Sequence, residues 1–145
     1  MKRLITFFFY IALLLFSGCQ FVVLPIIQNV SGEAIRLQYI ISDDYYYSDF
    51  DHKGFKQSID HKLENNEQFR LYFNVAKLVN YSGNGRPYSE ISTYIPAFQH
   101  FSIEYLESNK IIELNDEQFF NITYSKEGTL AVVHVFTINV LPSVE

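Results

Sequence analysis

AIRLQYII, Ala34 to Ile41, alternates without a break: Ile35, Leu37, Tyr39 and Ile41 fall on one face, and Arg36 and Gln38 on the other. A side-chain period of two is the mark of a strand with one face buried and one face wet. The same period continues on both sides. FVVLPII, Phe21 to Ile27, reads as a first strand, followed by a turn in QNVSGE, Gln28 to Glu33. FRLYFNV puts Phe69, Leu71, Phe73 and Val75 together, and FSIEYL sets Phe101, Ile103 and Tyr105 against Ser102 and Glu104. ESNK, Glu107 to Lys110, turns the chain into IIEL, Ile111 to Leu114. FFNITY then offers Phe120, Ile122 and Tyr124, SKEG (Ser125 to Gly128) reads as a turn, and TLAVVHVFTINV, Thr129 to Val140, as a long closing strand. No window after Gln20 supports a helix longer than about three turns. About seven or eight strands spaced by local turns predict an all-β domain: an antiparallel β-sandwich, immunoglobulin- or transthyretin-like, or a small barrel. NYSGNGRPYSEISTYIP, Asn80 to Pro96, carries two Gly and a Pro close together and reads as a long loop. NNEQF (Asn65 to Phe69) recurs as NDEQF (Asn115 to Phe119), each before an alternating run, which points to one turn solution used twice.

Composition agrees with sheet. The 145 residues include 14 Phe and 11 Tyr, which suit a pleated, half-buried surface, and a hydrophobic share of 48% excludes a disordered chain. The length fits one domain after the N-terminal segment. The net charge is −5, and loss of Lys2 and Arg3 with the first eighteen residues would take it to −7. An acidic surface repels phosphate backbones, so nucleic acid is not an expected partner.

The N-terminus carries the second signal. Lys2 and Arg3 precede an apolar run, Leu4 to Phe16, which ends in Ser17, Gly18 and the chain's single cysteine, Cys19. A charged start, an apolar middle and small residues at the cut are the layout of a secretory signal. FSGC, Phe16 to Cys19, resembles the lipobox of bacterial lipoproteins. The resemblance implies a diacylglycerol joined to the Cys19 sulfur, cleavage just before it, residues 1–18 as signal peptide and residues 19–145 as the mature domain. Phe16 stands where that family usually has Leu. Gln20, which is not Asp, implies sorting to the outer membrane in a Gram-negative cell; with one membrane, the same anchor would hold the domain on the outer face. Thiol arithmetic agrees with lipidation, because a lone free thiol is a liability in an oxidising compartment and here the lipid would consume it. Two readings compete: Leu4 to Ile27, 24 residues with few polar interruptions, as an uncleaved single-pass anchor in the inner membrane, or a plain signal peptide in which Cys19 is incidental.

The remaining candidates are weighed by chemistry. DDYYYSDFDHKG, Asp43 to Gly54, is rich in Asp and Tyr. Tyr45, Tyr46 and Tyr47 could form a recognition surface, since tyrosine gives large contact area with a polar tip; against that, such rings also cover a sheet edge or cap a core. Asp49, Asp51, Gly54 and Asp60 match positions 1, 3, 6 and 12 of a calcium loop, but Lys53 puts a cation at position 5 and the flanks are not helical, so no metal is expected. His52, His61, His100 and His134 lack metal-ligand spacing, and His134 shares the face of Leu130, Val132, Phe136 and Ile138, at the end of the core or on an open part of that strand. Glu104, Glu107, Glu113 and Glu117 suit solvent faces. Neither a nucleophile elbow nor a zinc-protease motif occurs, and SGNGR, Ser82 to Arg86, is too short for a phosphate loop, so no enzyme and no cofactor are expected. The sequence therefore predicts a lipid-anchored binding or assembly module on the periplasmic face of the outer membrane, its partner another envelope protein. A small ligand-binding barrel is the third possibility.

Overall fold

The computed structural model describes residues 22–46, 56–78, 86–128 and 132–143. Among these residues there are eight strands: β1 (Val22–Asn29), β2 (Ile35–Ile41), β3 (Ser58–Leu63), β4 (Gln68–Arg70), β5 (Phe98–Tyr105), β6 (Ile111–Glu113), β7 (Phe120–Glu127) and β8 (Val133–Val140). They form two four-stranded sheets, β4-β1-β8-β7 and β3-β2-β5-β6. The architecture is an all-β sandwich. Every strand pair is antiparallel except β1 and β8, which run parallel from Val22↔Val133 to Asn29↔Val140.

The alternation of Ala34–Ile41 sets one half of the core. Ile35, Leu37, Tyr39 and Ile41 are buried, and across the strand pair they meet Tyr105, Ile103, Phe101 and Phe98 of β5. The facing layer comes from Ile27 of β1 and Phe136, Ile138 and Val140 of β8. Aromatic rings fill the space between the sheets: Tyr39 meets Phe98 edge-on at 5.4 Å, and Phe98 meets Phe101 and Phe73 at 5.1 and 5.4 Å. Offset and edge-on contacts suit the ring quadrupole, so the Phe-rich composition becomes one packed layer.

Several expectations about extent need correction. The run Phe69–Val75 keeps only three residues of strand, Gln68–Arg70, although Leu71 and Phe73 are buried as its period requires. Backbone bonds explain the break: Leu71 N–H donates to Pro25, and Asn74 N–H donates to Tyr45, so the chain leaves β1 to cross over the end of the sandwich. Ser125–Glu127 extend β7 instead of turning, and Gly128, which follows, has a φ of +87°. The long loop is compact over residues 86–97, where three 3₁₀ turns bury Tyr88, Ile91, Tyr94 and Ala97. β3, SIDHKL, is an edge strand with most of its side chains exposed.

Pro25 lies in a central strand, where a missing N–H normally costs a ladder bond. Its carbonyl accepts from Leu71 N–H, on the β4 flank. In a parallel strand a residue's N–H and C=O point to the same side, so the absent donor faces a flank where pairing with β4, which reaches only Ile26↔Arg70, has already stopped. The ladder to β8 loses nothing.

The echo of NNEQF in NDEQF is a shared turn. Glu67 N–H donates to the Glu64 carbonyl while the Glu67 carboxylate accepts from Glu64 N–H at 2.9 Å. Asp116 and Glu113 repeat both bonds, the second at 2.8 Å. The turns are 49 residues apart, one less than the echoed letters, so the solution is common but the residues do not superpose.

The sandwich has two distinct ends. At one, Val22, Val133 and Glu127 lie in a row across the first sheet, and the start of β5, residues 43–46 and residues 71–78 and 86–97 gather beside them. At the other, the turns at 30–34, 64–67 and 106–110 meet the C-terminal segment, where Tyr105 Oη donates to the Leu141 carbonyl at 2.7 Å.

Asn29 closes that second end. It is 0% exposed, and its amide is fully used. Nδ2 donates to the Glu33 and Leu63 carbonyls at 2.7 and 3.1 Å, and Oδ1 accepts from Ser31 N–H and Oγ at 3.1 and 2.6 Å. Asn29→Ala strands these partners in a dry site and should cost about 3 kcal/mol in chemical denaturation. Asn139→Ala, whose amide bonds the strand surface, should cost under about 1 kcal/mol. Equal losses would remove Asn29 from its role as the pin between sheets.

Candidate functional site

The β5–β6 hairpin carries an open groove of about 230 Å³ lined by Ile95, residues 98–101 and Glu113, Leu114 and Asn115. The register brings Ser102 opposite Glu113, and carried two residues further it places Asn115 beside His100. His100 Nε2 and Ser102 Oγ are 3.1 Å apart, two residues along one strand and therefore on one face. Ser102 is only 7% exposed, so its hydroxyl holds the ring from below while His100 remains exposed.

The groove offers an apolar floor from Phe98, Phe101 and Leu114, with the exposed Ile95 on its rim and imidazole, two amides (Gln99 and Asn115) and the Glu113 carboxylate around it. Its volume falls below the usual range for drug-sized ligands, roughly 300–1,000 Å³. It fits one side chain or a small polar group. Such a set can accept and donate hydrogen bonds around an apolar contact, which is the chemistry of recognition.

The tyrosine stretch falls elsewhere. Tyr45 and Tyr46 are half-buried at the Val22 end and pack against the core. Tyr45 lies in a turn held by its own N–H to the Ser42 carbonyl and by its carbonyl to Asn74 N–H. Tyr47 and Cys19 lie outside the described residues, as do Asp49, Asp51 and Gly54 of the calcium-like stretch. Asp60, the twelfth position of that stretch, is engaged on the outer face of the second sheet: Arg36 forks onto it with two 2.7 Å bonds, and Gln38 adds one at 3.0 Å. Among the described residues no group of three His, Cys, Asp or Glu could hold a metal ion.

His134 is half-buried beside Tyr124, whose ring stacks on it with centroids 5.8 Å apart and whose hydroxyl meets Nδ1 at 2.9 Å. Tyr124 is 53% exposed, although Phe136 opposite it is buried.

Sequence reading passed over the groove. His100 stood alone in the linear order, and its neighbours Glu113 and Asn115 come from the next strand. The available signal was the short ESNK turn, which makes β5 and β6 a hairpin; register then brings the residues together.

Hydrogen bonds from Arg36, then from Gln38, hold the Asp60 carboxyl down at about 2. Its folded value lies below the ordinary 3.8, so the stability from this pair is present above that value and is lost as pH falls toward about 2. In acid unfolding, Asp60→Asn should flatten the loss of stability between about pH 4 and pH 2 and leave the profile above pH 5 unchanged in slope. An unaltered acid limb would show that the pair is broken in solution.

No protein family, curated protein or solved structure matches this chain.

Proposed function

We propose that the protein is a lipid-anchored binding module of the bacterial cell envelope, held by acyl chains on Cys19 and presenting its β-sandwich to another envelope protein. The observation that carries the reading is FSGC at Phe16–Cys19, with the first strand beginning at Val22 directly after it. An apolar leader that ends three residues before a folded domain fits a segment removed at export. The lone thiol would then become the anchor, and the mature chain would have no cysteine left to oxidise. The anchor places the domain on the periplasmic face of the outer membrane, in keeping with Gln20.

Recognition falls to the β5–β6 groove in this reading. Its mixture of an apolar floor and polar rim suits one anchoring side chain of a partner, and the three-residue β6 beside it is a free sheet edge among the described residues. The reading assigns no turnover to the His100–Ser102 pair. No helix among the described residues is long and apolar enough to cross a membrane; Leu4–Phe16 lies outside them.

Intact mass of membrane-extracted protein tests the anchor. The expected species starts at Cys19 and carries diacylglycerol, and Cys19→Ser abolishes both the cut and the added mass. A full-length unmodified chain, unchanged by Cys19→Ser, would overturn the reading in favour of an uncleaved membrane anchor.

A further inference from the structure

The two residues between Cys19 and Val22 decide which end of the sandwich meets the bilayer. This inference rests on the lipid anchor proposed above. Three peptide steps separate Cys19 from the first residue of β1, so the tether spans at most roughly 11 Å when fully extended. The strands are longer. An eight-residue strand such as β1 or β8 runs about 27 Å from end to end. A domain tied that closely at Val22 cannot bring its far end to the same surface without lying on its side.

We infer that the Val22 end of the sandwich is a membrane-contact face, resting on the lipid surface through Val22 and Ile95. Val22 is 37% exposed and Ile95 39% exposed. Apolar exposure alone does not choose the end, because Leu106 and Ile111 at the far end are 36% and 66% exposed. The tether chooses it. Parallel pairing strengthens the choice: β1 and β8 start side by side, so Val133 and the end of β7 share the level of Val22. Among the described residues, exposed charges here are of both signs, with Lys56, Lys77 and Lys126 against Asp43, Asp44 and Glu127. The described part of the face therefore carries no excess of either sign, and the contact proposed is with the interfacial zone of a zwitterionic bilayer. The turns at 30–34, 64–67 and 106–110 then point away from the lipid.

The chain has no tryptophan, so each introduced indole is the sole one. Ile95→Trp, Val22→Trp and Leu106→Trp are made in the full chain, extracted from membranes, confirmed by mass to carry the lipid, and reconstituted in phosphatidylcholine vesicles with brominated acyl chains. At positions 95 and 22 the expected result is emission shifted to shorter wavelength and quenched at least twofold relative to unbrominated vesicles, with Leu106→Trp unmoved. Two reporters at one end guard against a single disturbed site. Lipidated protein with all three indoles unquenched would overturn the contact while leaving the anchor intact. Equal quenching at both ends would overturn it in favour of a domain lying flat. Absence of the lipid mass would remove the anchor reading and the contact face with it.

Discussion

The buried amide of Asn29 is the constraint on which the sandwich depends. It stands at the end of β1, in the first sheet, and bonds the last carbonyl of β3, in the second. All four of its hydrogen-bonding capacities are used within a dry site, so no shifted arrangement can be tolerated cheaply. A slip of β1 by one residue would turn Asn29 outward and push Gln28 into the core. Its backbone adds to the lock: Asn29 N–H reaches the Glu67 carbonyl, and Asn66 N–H returns to Asn29. The turn that makes this possible needs Gly32, whose φ of +92° is costly for any residue with a side chain, and whose N–H donates to the Asn65 side chain. One polar residue thus fixes the register of β1 and the stacking of the two sheets.

The alternating strands were legible because their burial is one-sided. Ala34–Ile41 and Phe101–Tyr105 place apolar residues at every second position, and both emerge as central strands with those residues buried. β3 was not legible, since an edge strand needs few apolar side chains: only Leu63 is buried, while Asp60 and Lys62 point to solvent. Ser125–Lys126–Glu127 looked like a turn for the same reason. Their side chains are exposed, yet their backbones pair with Val135, His134 and Val133. Phe69–Val75 shows the converse, in which the pattern of burial was right and the strand itself was short, because hydrogen bonds to Pro25 and Tyr45 drew the chain across the end of the sandwich.

The groove was beyond linear reading because its residues come from two strands whose pairing had first to be known. His100 and Asn115 are fifteen positions apart in the chain and line one cleft. Tyr45 and Tyr46 carry the opposite lesson. Their composition suggested a display of rings, whereas the turn at residues 43–45 folds both partly against the core. The charge pairing of Arg36 with Asp60 likewise required the β2–β3 register, which sets Gln38 opposite Asp60 and Arg36 two positions along on the same face.

The parallel pairing of β1 with β8 has a consequence in time. Ribosomes deliver β1 first and β8 last, and only β8 covers the full length of β1; β4 covers three residues. A chain emerging from its N-terminus therefore holds an apolar strand with one long open edge until nearly all 145 residues have appeared. Closure joins segments more than a hundred positions apart, the kind of pairing that makes folding slow. Local pairings such as β2–β3 and β5–β6 can form early, but the first sheet cannot complete until β8 has been made. The unpaired edge of Val22–Asn29 is therefore the stretch most open to aggregation during that interval.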